Sequence, residues 1–198
     1  MTTKIFSRLG AAVFLGALGF SALIAFSKEP DRLDQIEAKV VSVMPDAEGK
    51  GWLVILAPKT LDISNMAPRR KKKYKYPQKV LVIGVGMSEG TSIFYAVAKK
   101  TSIRPLTHEL FSKFMNQAGV RLLSCLIHTV SGNTFFARLD WTLGDKKYST
   151  DARPSDAMAL ALRSKAKIYV LRKVFEENGL DWPPDKDKFK DAPREGPL

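Results

Sequence analysis

Asp151-Ala152-Arg153-Pro154-Ser155-Asp156-Ala157-Met158-Ala159-Leu160-Ala161-Leu162-Arg163 is a strand end running directly into a helix. Proline at a first helical position has no N–H to lose, and its φ is already helical. The residue before it is pushed toward extended geometry. The spacing predicts a helix over residues 154–165, with Arg153 just outside its start. Ser155 and Asp156 then fall in the first turn, where capping and the helix dipole favour them. Upstream of this junction, residues 147–151 read as a strand and Gly144-Asp145 as a turn. Residues 120–130 and 134–143 read as two long strands closed by the hairpin turn Ser131-Gly132-Asn133. The same order, three strands and a helix, occurs once more over residues 38–100. There residues 39–43, 52–56 and 80–83 are strands, and Ser88-Glu89-Gly90 opens a helix over residues 88–100. Residues 52–56 are apolar throughout, as in a strand buried on both faces. Two β3α halves, joined by a helix that Pro105 opens and Gly119 ends, predict an α+β fold with a largely antiparallel sheet and packed helices. In the joining helix, Leu106, Leu110, Phe114 and Met115 fall at the spacing of one apolar face. Residues 168–170 form a short strand and residues 171–178 a short helix.

At 198 residues the chain is long enough for one real core and short for two, which places a single domain over residues 34–180. The formal charge of +12 favours anionic partners, either nucleic acid or an anionic membrane surface. Much of that excess is local: Arg69, Arg70, Lys71, Lys72, Lys73 and Lys75 crowd one proline-bearing loop over residues 58–79. With Tyr74 and Tyr76 interleaved, this run suits phosphate contacts and base stacking. It suits contact with anionic lipid equally well. It carries no base-reading geometry, so its affinity for nucleic acid should be independent of sequence and sensitive to salt. Lys4 and Arg8 precede an uncharged apolar run over residues 9–27, the pattern of a secretory signal or an N-in membrane anchor. Residues 1–27 therefore predict export, to the periplasm or beyond. Residues 181–198 are charged and proline-bearing and read as a disordered tail. The single cysteine, Cys125, lies in an apolar strand and reads as a buried, inert thiol. The sequence leaves open whether copies of the chain associate into a homo-oligomer.

A second Arg-Pro pair begins Arg104-Pro105-Leu106-Thr107-His108-Glu109-Leu110. Arg104 and Arg153 should each project beside a helix N-terminus, where orphan N–H groups and the positive helix end already favour a phosphate. The competing reading is structural: Arg104 pairs with Glu109 or Asp151, and Arg153 with Asp156. His108, with an ordinary pKa near 6.5, is the acid–base candidate. Asp151, Asp156 and Glu109, if brought together, form an acidic cluster for a divalent metal, Mg²⁺ or Mn²⁺. Oxygen ligands of that kind suit metal-assisted phosphodiester hydrolysis. His128 has no charged neighbour in sequence and reads as structural.

These two motifs resemble the bifunctional nuclease domain family. The patterns are Arg-Pro-x-Thr-His-[Asp/Glu]-Leu, here residues 104–110, and Asp-x-Arg-Pro-Ser-Asp-Ala-x-Ala-Leu-Ala-Leu-Arg, here residues 151–163. The resemblance runs from about residue 36 to residue 179. It implies an α+β fold and activity on both DNA and RNA, without supplying an agreed catalytic set. A third element, Ile-Gly-Pro-x-Glu-Ala, has its counterpart at residues 83–90, where Gly84 and Glu89 stand but the proline and alanine do not. The long basic loop and the export segment also depart from the family pattern. Two functions follow as expectations. One is an exported, sequence-nonspecific nuclease with His108, Glu109, Asp151 and Asp156 in the chemistry and Arg104 and Arg153 on the phosphate. The other is a non-catalytic module in which the same charges knit the fold.

Overall fold

The structure, a computed structural model, describes residues 34–61 and 79–181. The expected signal segment, the basic run at residues 69–75 and nearly all of the expected tail lie outside the described residues. Eight strands form one sheet: β1 (Gln35–Pro45), β2 (Trp52–Pro58), β3 (Lys79–Val85), β4 (Val120–Ser131), β5 (Thr134–Leu143), β6 (Lys146–Ala152), β7 (Lys167–Leu171) and β8 (Leu180–Asp181). The helices are α1 (Met87–Val97), α2 (Thr107–Gln117), α3 (Pro154–Ser164) and α4 (Arg172–Asn178). The strand order is β6-β5-β4-β7-β1-β2-β3-β8. Both expected triplets, β1-β2-β3 and β4-β5-β6, are antiparallel meanders, each followed by a helix. β7 is the seam between them. It runs antiparallel to β1 and parallel to β4, the one parallel pair among the described residues.

Strand alternation assigns the faces. Val54, Leu56, Leu81, Ile83, Cys125, Ile127, Phe135, Ala137, Ile168 and Val170 point to one side. There they pack with Ile93 of α1, Ala157 to Ala161 of α3 and Phe175 of α4. Leu53, Ile55, Ala57, Val80 and Val82 point to the other side and form a second cluster with Leu61. β2 is thus buried on both faces, as its unbroken apolar run predicts. Alanine at alternate positions of α3 keeps its side chains short, so the helix is buried almost throughout and lies close to α1 and the sheet. Cys125 is fully buried, and burial, with the Asp140 charge second, pushes its thiol up to about 12. It is the inert core residue that the sequence predicts.

Two expectations about α2 need correction. Pro105 does not open the helix: the N-cap is Leu106 and Thr107 is the first helical residue. The Glu109 carboxylate accepts the Leu106 N–H at 3.1 Å, fixing the start so that Glu109 occupies the third helical position. The apolar stripe also faces the other way. Leu110 and Phe114 are exposed and Phe111 stacks on Phe114, while Met115 and the buried Ser112 turn inward. Among the described residues no helix is long and apolar enough to cross a membrane.

Gly90, in α1, sits directly over Trp52: an added Cβ would lie 2.3 Å from the indole ring. The same indole stacks on Phe94 one turn later, with centroids 5.5 Å apart. A helical Gly→Ala exchange ordinarily gains about 0.5–1 kcal/mol. Here overpacking, typically about 1–3 kcal/mol, reverses the sign. Gly90→Ala should lower the urea midpoint, and a gain in stability would show that α1 does not rest on Trp52.

Candidate functional site

Three helix N-termini converge on one cavity of about 430 Å³. Its walls carry Ser88 and Glu89 of α1, Thr107 and His108 of α2, and Arg153 and Asp156 at the start of α3. Each of these helices has its acid at the third helical position: Glu89, Glu109 and Asp156. There a carboxylate meets the positive helix end and its orphan N–H groups. The junction at Arg153 forms as its sequence predicts. Pro154 is the first helical residue and Arg153 is extended, with φ −63° and ψ 142°.

Arg153 does not stand free. Its Nε donates to Asp156 Oδ2 at 2.8 Å, and its Nη2 donates to Glu89 Oε1 at 2.9 Å and Asp156 Oδ1 at 3.2 Å. On its other side Asp156 Oδ1 meets His108 Nε2 at 2.8 Å. Glu89, Arg153, Asp156 and His108 thus form one chain of charge-assisted contacts across α1, α3 and α2. Burial pushes the Asp156 carboxyl up, but hydrogen bonds from His108 and Arg153, and the Arg153 charge, outweigh it. The net effect holds Asp156 below the ordinary 3.8. The Asp156 hydrogen bond, against burial and with Glu89 adding to it, raises the Arg153 pKa, so the guanidinium stays charged. A second knot lies beside this chain. Arg163 donates to Ala159 O at 3.0 Å and to Ser92 O at 2.8 Å, and lies 3.6 Å from Glu109. The Ser92 hydroxyl is buried beside the cavity without a hydrogen-bond partner.

Of the residues the sequence singles out, His108, Asp156 and Arg153 come together, and the Arg153–Asp156 pair is the one the structural reading names. Glu109 lies next door, held by Leu106 and Arg163. The placements of Asp151 and Arg104 are corrections. Asp151 does not join an acidic cluster. It sits on edge strand β6 opposite Arg138, whereas its neighbours Thr150 and Ala152 oppose Leu139 and Ala137 of the helix-covered face. One step along a strand reverses the side chain, so Asp151 projects from the side of the sheet away from the helices. There its charge reaches His128, whose pKa is lowered by burial and by Arg138 and partly restored by Asp151. Arg104 is exposed, two residues ahead of the α2 N-cap. Among the described residues it forms no ion pair with Glu109 or Asp151. Arg69, Arg70, Lys71, Lys72, Lys73 and Lys75 lie outside the described residues. Among the described residues no three His, Cys, Asp or Glu side chains converge as a metal would need. The triad expected for Mg²⁺ or Mn²⁺ is divided between two sides of the sheet, and its two members on the helix side are taken up by Arg153, His108 and Arg163.

Sequence reasoning left Glu89 out of the site. Its signal was present in the Gly-x-x-Glu spacing of Gly86 and Glu89. The two are in close contact: a Cβ added at Gly86 would lie 2.5 Å from Glu89 Oε2 and would displace that end of the carboxylate.

The profile of the bifunctional nuclease domain matches residues 71–183, more than half of the chain and all of this site. The chain belongs to the bifunctional nuclease domain family. Membership suggests a nuclease-like or nucleic-acid-binding role. Two Mycobacterium tuberculosis proteins, "Uncharacterized protein MT1877" and "Uncharacterized protein Rv1829", are each 34% identical to it over 108 residues, 54% of this chain. The chain spans 64% of the length of these relatives.

Arg153→Met would leave Glu89 and Asp156 facing each other without their shared cation. The expected cost is about 1–3 kcal/mol in urea denaturation, against a change near zero for exposed Arg104→Met. Equal effects of the two would remove Arg153 from the centre of the fold. The pH dependence has a definite sign. The Asp156 carboxyl is held low in the native state, so its stabilisation is complete above 3.8 and is lost as pH falls through the lower native value. The stability advantage of wild type over Asp156→Asn should therefore shrink below about pH 4.

Proposed function

We propose that the chain hydrolyses phosphodiester bonds of DNA or RNA without sequence preference, and that the chemistry takes place in the cavity of the three helix N-termini. The observation that carries this reading is the His108–Asp156 contact at its wall. A carboxylate accepting from Nε2–H fixes the imidazole tautomer and leaves Nδ1 as the nitrogen able to take a proton. In this scheme His108 takes the proton of a water molecule as the water oxygen bonds to phosphorus. The bond to the leaving sugar oxygen breaks, and the imidazolium returns the proton to that oxygen. The N-terminal N–H groups of α1, α2 and α3 face the phosphate oxygens. Arg153 is a positioning residue: its two carboxylate contacts hold Asp156 where it can orient His108. Action outside the cytoplasm belongs to this proposal on the strength of residues 9–27, and dependence on Mg²⁺ or Mn²⁺ is an arm of its test.

A second reading has its own support. Glu89, Asp156 and Glu109 are each paired with Arg153 or Arg163, a lattice that would tie three helices together in a non-catalytic module for an anionic partner. His108→Gln separates the two readings, since an amide N–H can still donate to Asp156 but cannot take a proton. On the full chain, with single-stranded and duplex DNA and RNA, and with Mg²⁺, Mn²⁺ or EDTA, His108→Gln should lower kcat by about 10²–10⁴-fold. Its melting temperature should stay within a few degrees of wild type. Cleavage undiminished in His108→Gln, or none by wild type under any condition, would leave the binding module as the function.

A further inference from the structure

A second cavity, of about 470 Å³, adjoins the first across the start of α2. Its walls include Tyr95, Lys99, Lys100, Lys113, Arg163 and Glu109. The two share a boundary: Pro105 and Glu109 line this one, while Leu106 and His108 line the other. Their charges are opposite. The first holds the carboxylates of Glu89 and Asp156 against the single guanidinium of Arg153, and so carries excess negative charge while His108 is neutral. The second sets four cations against one carboxylate, which is already engaged by Arg163 and the Leu106 N–H.

The cations are not explained by the fold alone. Lys99 and Lys100 follow the C-terminal end of α1, where the helix dipole favours positive charge. Lys113 comes from the middle of α2 and Arg163 from the last turn of α3, and the α1 dipole does not account for them. Among the described residues Lys99 and Lys113 form no ion pair. Lys99 stands at φ 52° as the left-handed residue that ends α1, with the Lys100 N–H returning to Tyr95 O at 2.9 Å, so the helix end fixes where these two lysines start. The Arg163 side chain is only 9% exposed. Its Nε is buried without an acceptor, so a deeply placed cation is left incompletely satisfied at the cavity wall. A pocket of its own sign attracts a polyanion poorly. Opposite charge next to that pocket supplies the attraction, and the space is that of a small-ligand site.

We propose that this second cavity is a phosphate-binding subsite for the nucleotide next to the bond being cut. Lys99, Lys113 and Arg163 take its phosphate, and the Tyr95 ring offers a face to its base. The proposal rests on the reading of the first cavity as the place of cleavage, but binding at the second can be measured without any turnover. The probes are adenosine 5′-monophosphate and inorganic phosphate, titrated into the full chain and followed by heteronuclear NMR. Adenosine monophosphate should shift the resonances of Tyr95, Lys99 and Lys113, and inorganic phosphate should shift the lysines without Tyr95. In the exposed double variant Lys99→Gln with Lys113→Gln, affinity for adenosine monophosphate should fall about tenfold. For a single-stranded hexanucleotide the slope of log affinity against log salt should fall by up to about 0.7, the value for one phosphate. If wild type cleaves, the same variant should raise KM for the hexanucleotide and leave kcat unchanged. Resonance shifts confined to the first cavity, unaltered affinity and salt slope in the variant, or preferential loss of binding to phosphatidylserine vesicles would overturn the proposal. Loss of cleavage in His108→Gln with these shifts intact would uphold both readings. Shifts intact with no cleavage by wild type would uphold the subsite and sink the hydrolase.

Discussion

One guanidinium shared by two carboxylates holds this molecule's functional end together. Glu89 of α1 and Asp156 of α3 are like charges brought to the same cavity, and each sits at a helix N-terminus that stabilises it individually. Neither helix end relieves their mutual repulsion. Arg153 does, because Pro154 ends the strand at an extended residue whose side chain reaches across the α3 terminus and meets Glu89. The arrangement depends on a backbone constraint set by one proline, and its consequences pass through Asp156 to His108 on α2. Packing of α1 and α2 against α3 and orientation of the histidine are therefore one structural event. A substitution at Arg153 or Asp156 disturbs both, which is why a residue that keeps the contact while losing the proton is the informative change.

The sheet was legible in the sequence where local chemistry and long-range packing agree. The hairpin at residues 131–134 has a glycine at φ 59° where a tight connection requires one. β2 has no polar residue to choose a face with, and it is buried on both. The repeat of three strands and a helix was visible in the order of turn residues alone. The role of β7 was not, because five residues of ordinary strand composition do not say which neighbours they will have. Its place between β1 and β4 is a consequence of how the two meanders meet.

The cluster at the three helix ends was legible in its local geometry but not in its membership. His108, Asp156 and Arg153 carry their chemistry in motifs whose local geometry the two prolines announce. Asp151 stands only two residues from Arg153 and still leaves the site, because the period of a strand is two and Asp151 falls on the wrong parity. Arg104 is displaced for a different reason. Glu109 competes with Pro105 for the helix start and prevails, since its carboxylate satisfies the N–H of Leu106 while proline can satisfy nothing. α2 then presents Leu110, Phe111 and Phe114 outward, a pattern that periodicity alone assigns to the core. Periodicity shows that a helix has an apolar stripe. Which side is buried is decided by what the other helices need, and here α3 engages His108 and Glu109.

Acids at the third position of three converging helices give the cavity a character that neither feature has alone. Bare helix N-termini would form a phosphate cradle. Filling them with Glu89, Glu109 and Asp156 consumes much of their positive potential and converts it into fixed, oriented carboxylates. Such a place is good for holding a histidine in one tautomer and poor for attracting a polyanion. On the proposed function the attraction comes from cations that the carboxylates do not neutralise, and Lys99, Lys100 and Lys113 line the adjoining cavity. On the proposed function chemistry and affinity are separated in space, because the histidine that would move the proton is oriented by an anion and the proposed substrate is itself an anion.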